Sequence, residues 1–312
     1  MDFSQAMNLT TYFKLFLSAF FWGGSAIAGK IAMETFSVSM VTILRFGIAA
    51  LVLALLYRRQ IQRYSMPIMR HIKVALTAFF GITACYYFYF RGLDLSSAFN
   101  AGVIEATIPC LTLFIATCSG KRESLTKVVG FIAAYVGVIY IVFDGQLDKL
   151  LSIEYSVGDL LLLLSTFCFA VYNIFVERNK QDTPNNLFMY YIFLYGSLLL
   201  LPWPLIEWAM TGNAMVLKPI GFDAIVAILF MALGGSVVAY LFFNQAISVI
   251  GAASASSFIN LVPVITVFLS VFYLKEDISV SQWIGSAIIF VGVAISNYEP
   301  KRRQKNISQQ SS

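Results

Sequence analysis

Only two formal charges fall well inside the long apolar stretches of this 312-residue chain, Arg45 and Glu105. A charge at the centre of a membrane helix costs at least about 2.5 to 3.5 kcal/mol on insertion scales unless it finds water or a partner, so each marks a polar place in an apolar setting. Arg45 stands eight residues beyond Ser37, and Glu105 eight beyond Ser97. If both helices enter from one side, the charges lie at equal depth, roughly 12 Å at 1.5 Å per residue. They are expected to meet across a bundle near the upper part of a cavity, or to form a purely structural salt bridge, or to leave Arg45 snorkelling alone. A cavity with both charges suits a zwitterion, its carboxylate towards Arg45 and its ammonium towards Glu105, whereas mutual pairing would leave neither free. Glu105 is also the candidate for proton coupling.

The helix that carries Glu105 offers a smooth face, with Ala98, Ala101 or Gly102, Glu105 and Pro109 at intervals of three and four. Pro109 removes a backbone hydrogen bond. A matching face runs through Ala252, Ala255, Ser256, Ile259 or Asn260, and Pro263. Interrupted helices at matching places build the binding sites of carriers, although small residues also serve close helix packing with no ligand. Asn260 is read as substrate-facing, because an amide turned to lipid would cost several kcal/mol. Trp22, beside Gly23 and Gly24, is either a cargo contact or a core aromatic with a satisfied indole. Tyr172 and Asn173, with Asn244 and Gln245, are candidates for a polar inner vestibule or for helix ends wetted by cytoplasm. The run Tyr86 to Phe90 ends an apolar stretch and is read as an interfacial aromatic belt, ahead of a stacking surface.

Other chemistries lack their residues. His71 is the only histidine and lies in a basic loop, so no histidine-based metal site or Ser/His triad is expected within the membrane. Cys85, Cys110, Cys118 and Cys168 show no close pair spacing and read as small buried residues. No phosphate-cradling loop is present, so any transport would run on gradients and not on nucleotide hydrolysis. No catalytic residue, metal or cofactor is expected, and the chain does not read as an enzyme. Lys30 and Glu34, one turn apart, read as a surface pair.

The elements that must position these residues follow from composition. Hydrophobic residues make up 59% and charged residues 12%, against about 25% charged in soluble domains. The expected class is an all-α integral membrane protein in the lipid bilayer. Ten transmembrane helices are expected, at 14–33, 37–57, 72–90, 97–118, 126–143, 157–176, 187–206, 222–243, 251–272 and 280–297. No Lys or Arg precedes Lys14 and no small-residue cleavage site follows, so the first span is not expected to be a removed signal. With the N-terminus inside, fifteen of the 21 basic residues face the cytoplasm, five face the other side and Arg45 lies within a span. That bias makes both termini cytoplasmic. The net charge of +5 mostly reflects it and the Lys301 to Lys305 tail, which suits anionic lipid and gives no reason to expect nucleic acid.

The sequence also repeats. Displaced by 154, Gly81 falls on Gly235 and Pro109 on Pro263; displaced by 155, Gly130 falls on Gly285 and Gly137 on Gly292. The match of Ser18 to Ser165 is too slight to argue from. Five helices per unit oblige the second copy to enter the membrane upside down, and the loop charges agree: Lys121, Arg122 and Lys127 follow span 4, whereas Lys275, Glu276 and Asp277 follow span 9. The expected organisation is a cytoplasmic segment (1–13), a first repeat (14–143), an external linker (144–156), a second, inverted repeat (157–297) and a basic cytoplasmic tail (298–312), with the two five-helix repeats around a central cavity. The glycine stripes of spans 5 and 10 would either join two protomers into a homodimer or pack within one.

Trp22-Gly23 followed by Lys30, Arg45, the Pro109 helix, the Lys121 to Glu123 loop, Pro263, Glu276 and the Gly285 to Gly292 helix together resemble the drug/metabolite transporter superfamily of the EamA type. The likeness covers residues 14–297. It implies two five-helix bundles around a cavity lined mainly by spans 1, 3, 4, 6, 8 and 9, alternating access, and often export of small metabolites. Glu105 departs from the pattern, since such proteins look mostly apolar or small there. The expected function is a secondary transporter of the inner membrane, an exporter, moving small amphipathic metabolites such as amino acids or related compounds. The alternatives are a non-transporting structural or regulatory membrane protein and a lipid flippase, which would need a groove open to lipid.

Overall fold

The structure is a computed structural model that describes residues 3–96, 104–105, 107–121, 124–142, 157–180, 183–212, 215–216, 218–265, 269 and 280–296. The described residues are helical apart from short turns and one isolated bridge between Phe36 and Val216. Among the described residues twelve helices follow one another: α1 (Phe3–Met33), α2 (Val38–Leu56), α3 (Arg58–Arg63), α4 (Ile68–Leu95), α5 (Ile108–Cys118), α6 (Leu125–Val142), α7 (Val157–Asn179), α8 (Asn185–Leu200), α9 (Trp203–Thr211), α10 (Phe222–Ile250), α11 (Ala252–Ile265) and α12 (Val280–Ser296). Turn chemistry separates them: Pro67 and Pro184 precede α4 and α8, and Gly212 and Gly251 leave α9 and α10 at positive φ.

Among the described residues six stretches are long and apolar enough to cross a membrane: Leu9–Met33, Val38–Leu56, Ile68–Leu95, Val157–Asn179, Asn185–Ala209 and Phe222–Ile250. Where spans 4, 5, 9 and 10 are expected, the described apolar helices are shorter, at Ile108–Cys118, Leu125–Gly137, Ala252–Ile265 and Trp283–Ser296. Residues 97–103, 143–156, 270–279 and the tail lie outside the described residues, and with them Ala98, Ala101, Gly102, Lys275, Glu276, Asp277 and the linker.

Two helices contain a turn of π-helix, Phe79–Ala84 in α4 and Met231–Val238 in α10. Each holds one glycine of the repeat, Gly81 or Gly235, and each glycine is there for close approach. A Cβ on Gly81 would run into the Tyr172 ring, and one on Gly235 into Ser25 Oγ and, at 3.1 Å, Arg45 Nη2. The core is aromatic. Phe46, Tyr86, Phe193 and Tyr240 pack edge to face or tilted, and the Tyr240 hydroxyl donates to that of Tyr86 at 2.9 Å.

Helices α6 and α12 lie against each other through their glycines. A Cβ on Gly137 would stand 2.8 Å from Gly285 O, and one on Gly130 2.7 Å from Gly292 O. The stripe considered for a homodimer is therefore occupied within one chain. The large residues of the same helices, among them Ile132, Val136, Trp283 and Phe290, point outward as lipid-facing side chains should.

Polar links close the end of the bundle that carries Lys14. Lys14 Nζ donates to Gln245 Oε1 at 2.9 Å, and Lys180 Nζ to Asn244 O at 2.8 Å and Ser248 Oγ at 2.7 Å. Lys121 Nζ meets Glu177 Oε2 at 2.5 Å, beside the start of α11. At the opposite end Ser39 binds the Glu207 carboxylate through its N–H and its hydroxyl, and Ser37 N donates to Met215 O at 3.0 Å. The expected Lys30–Glu34 pair is replaced there: Glu34 meets Lys218 at 3.5 Å.

Candidate functional site

A chamber, partly continuous with the outside, opens among α1, α2, α4, α5, α7 and α11. Arg45, Glu105 and Trp22 all line it, so the charges singled out by their cost in an apolar run do share one space. They do not pair. Among the described residues Arg45 has no carboxylate within 4.0 Å; its Nε donates to Ser236 Oγ at 2.9 Å and its Nη2 to Gly235 O at 3.1 Å. Its guanidinium lies over the rings of Phe46 and Tyr86, 5.0 and 4.7 Å from their centroids. Dipoles and π-faces thus compensate the charge without neutralising it. A guanidinium has five N–H donors, and the two bonds named here are those the described residues supply. No described residue is within hydrogen-bond distance of the Glu105 carboxylate.

The π turn of α10 sets this geometry. Extra width at a π turn leaves backbone carbonyls off the regular ladder, and Gly235 O receives both Arg45 Nη2 and, at 2.9 Å, Trp22 Nε1. Trp22 is half-buried with its indole satisfied, as a core aromatic should be, and it also lines the chamber.

The sequence misplaces the aromatic run. Tyr86, Tyr89 and Phe90 form part of the chamber wall and not an interfacial belt, because α4 continues to Leu95, five residues beyond the expected end of its span. Ser25, Cys85, Ser165 and Phe169 complete the lining with Ala26, Ile108, Ile259 and Val262. Ser25 and Ser165 carried no signal in the sequence beyond being polar in apolar runs.

Tyr172, Asn173 and Asn260 do not line the chamber. Tyr172 and Asn173 are fully buried; Asn244 Nδ2 donates to Tyr172 OH at 2.6 Å, and Asn173 Nδ2 donates to Thr112 Oγ1 at 3.2 Å. Neither is wetted in this state. Asn260 is buried in a 3-10 turn, Ser257–Asn260, with both side-chain polar atoms unpartnered. Pro109 opens α5 as a buried residue, and Pro263 lies within α11. Among the described residues no cluster of three metal-ligating groups occurs.

The family model described as the EamA-like transporter family matches residues 9–143 and again 156–298. A Bacillus subtilis protein described as "Uncharacterized transporter YyaM" is 29% identical over 97% of this chain and 99% of its own length. An "Uncharacterized transporter" of Archaeoglobus fulgidus is 26% identical over 93% and 98%. A protein of known crystal structure superposes with a TM-score of 0.73 at 18% identity, covering 92% of this chain and 96% of that one, which is a likeness of fold.

Proposed function

The chain belongs to the EamA-like transporter family, and we propose that it is a secondary transporter of small zwitterionic metabolites, amino acids or close relatives, with its site in the Arg45–Glu105 chamber. The observation that carries this reading is a guanidinium and a carboxylate that face one chamber without pairing. A carboxylate beside Arg45 and an ammonium beside Glu105 would each complete a charge that the protein leaves open, while Trp22, Tyr86, Tyr89 and Phe90 offer apolar surface to a side chain. Gradients supply the energy, and no enzymatic step, cofactor or metal is needed. Export is the direction that family resemblance favours.

The organisation that supports alternating access is two inverted halves, 14–143 and 157–297, in the inner membrane with both termini cytoplasmic. Reciprocal contacts support it. A two-fold relation requires that if one residue touches a second, their mates touch in turn. Ser165 follows Ser18 by 147 positions and Ala239 follows Cys85 by 154; Ser18 Oγ donates to Ala239 O, and Ser165 Oγ meets Cys85 Sγ. At the same spacings Gly81 abuts Tyr172 and Gly235 abuts Ser25. Tyr86 and Tyr240, themselves mates, touch each other as residues on an axis would. In this frame the polar links around Lys14, Lys121 and Lys180 close the cytoplasmic end, and the chamber belongs to the external half.

The test is binding to the purified protein of an amino-acid panel beside its decarboxylated and deaminated analogues. At least one amino acid is expected to bind at least tenfold more tightly than either analogue, since a lost charge-assisted hydrogen bond costs about 1.5 to 3 kcal/mol. Equal binding of all three sets would refute the role given to the two charges.

A further inference from the structure

We propose that α2, α3 and α4 form a binding site for an anionic phospholipid, its phosphate held by Arg58, Arg59, Arg63 and Lys73 and its acyl chains laid on the apolar side chains beside them. The chamber plays no part in this site, which therefore stands or falls independently of the zwitterion reading. Its first sign is a long gap in the acidic residues. Between Glu34 and Asp94 the sequence has no Asp or Glu, yet Arg58, Arg59, Arg63, Arg70 and Lys73 all fall within residues 58–73.

Local contacts decide which way the arginines face. Positions three, four and seven apart share one face of a helix, and on α3 such a face runs through Tyr57, Gln60, Ile61 and Tyr64. Gln60 Oε1 accepts from Asn186 Nδ2 at 2.7 Å, Tyr64 OH donates to Thr183 Oγ1 at 3.1 Å, and Tyr57, Ile61 and Tyr64 are half-buried. That face is fastened to the start of α8. Arg58, Arg59, Gln62 and Arg63 are left on the other face and are exposed, as is Lys73 in α4. Among the described residues none of these four cations has a carboxylate within 4.0 Å.

The surroundings of the patch favour a lipid phosphate over a free one. Leu51 and Leu55 in the last turns of α2, and Ile68, Met69, Ile72 and Leu76 in the first turns of α4, are exposed apolar side chains. Helix α8 packs against both α2 and α4. Met69, Ile72, Lys73 and Leu76 share one face of α4. On such a lipid-facing stripe the Lys73 ammonium reaches polar surroundings by extending back along the helix towards its start, where α3 lies. Guanidinium groups offer a phosphate paired N–H donors, and acyl chains attached to that phosphate would cover the stripe. A soluble phosphate would satisfy the cations and leave the apolar side chains bare.

Native mass spectrometry of the full chain in a neutral detergent tests this, with phosphatidylglycerol, phosphatidylcholine, glycerol 3-phosphate and inorganic phosphate titrated separately. The parent is expected to bind phosphatidylglycerol at least tenfold more tightly than phosphatidylcholine or either soluble phosphate. Replacing three cations together, as Arg58→Gln, Arg59→Gln and Arg63→Gln, is expected to weaken phosphatidylglycerol binding at least tenfold. Removing the same charge from the tail, as Lys301→Gln, Arg302→Gln and Arg303→Gln, is expected to change it less than twofold. A further variant with Arg58→Lys, Arg59→Lys and Arg63→Lys keeps the charge and loses the planar fork, and about threefold weaker binding is expected. Equal affinity for the two lipids, equal loss in the α3 and tail variants, or soluble phosphate bound as tightly as phosphatidylglycerol would overturn the site. None of these results bears on the amino-acid test of the chamber.

Discussion

The Arg45 guanidinium is held like a tool in a vice. Ser236 Oγ and Gly235 O grip two of its N–H groups, and Phe46 and Tyr86 flank it. Lysine has neither the planar fork nor the flat face for stacking, so Arg45→Lys is expected to weaken amino-acid binding by more than tenfold in equilibrium titration. Ser236→Ala removes one of the bonds that orient the group, and about threefold weaker binding is expected with the maximal flux unchanged. Lys180, just past the end of α7, offers a pH test. Burial pushes its ammonium down from 10.5 to about 8 while Asn244 O and Ser248 Oγ hold it. The unfolded chain therefore binds the extra proton between about pH 8 and pH 10.5, and stability rises with pH through that window. The melting temperature of the parent is expected to gain on that of Lys180→Met as pH climbs through it; a constant gap would contradict the assigned burial cost. Arg45 and Glu105 were legible because a charge in an apolar run has few explanations. Their failure to pair was not, since equal depth along two helices says nothing of the angle between them.

Among the elements, α6 and α12 approach through their glycines, and the π turn of α10 supplies the carbonyl that holds Arg45 and Trp22. A methyl on Gly130 would collide with the Ser296 backbone and one on Gly292 with that of Ala134, while nothing lies within 4 Å of a Cβ on Gly47. Gly130→Ala and Gly292→Ala are each expected to destabilise the protein by about 1 to 3 kcal/mol in thermal unfolding, and Gly47→Ala to leave it unchanged or slightly better. Similar losses at all three would mean that the helices do not approach through these glycines. The glycine register was readable because Gly130 and Gly137 recur 155 positions later as Gly285 and Gly292. The π turns were not, for an extra residue in one turn leaves hydropathy unaltered. Tyr86, Tyr89 and Phe90 line the chamber because α4 runs on to Leu95, an extension that the end of the apolar stretch does not signal. Ser18 and Ser165, too slight a match to argue from, gain weight only from their mated contacts at Ala239 and Cys85.

For the whole molecule the account rests on one chamber in the external half being exchanged for one in the cytoplasmic half. Lys121 is half exposed where it meets Glu177, so this pair contributes about 1 kcal/mol at most and biases the exchange without locking it. The class of the molecule was plain from composition, and an inverted order is the expectation from loop charges and an odd helix count, but the state it adopts depends on ring packing that no sequence pattern states. The most direct measurement is flux of a labelled amino-acid panel into and out of vesicles containing the parent protein, Arg45→Ala or Glu105→Ala. The account predicts saturable flux of at least one amino acid by the parent, with Arg45→Ala and Glu105→Ala each reduced at least tenfold. Absence of amino-acid flux from the parent, movement of lipid alone, or equal flux by all three proteins would contradict it.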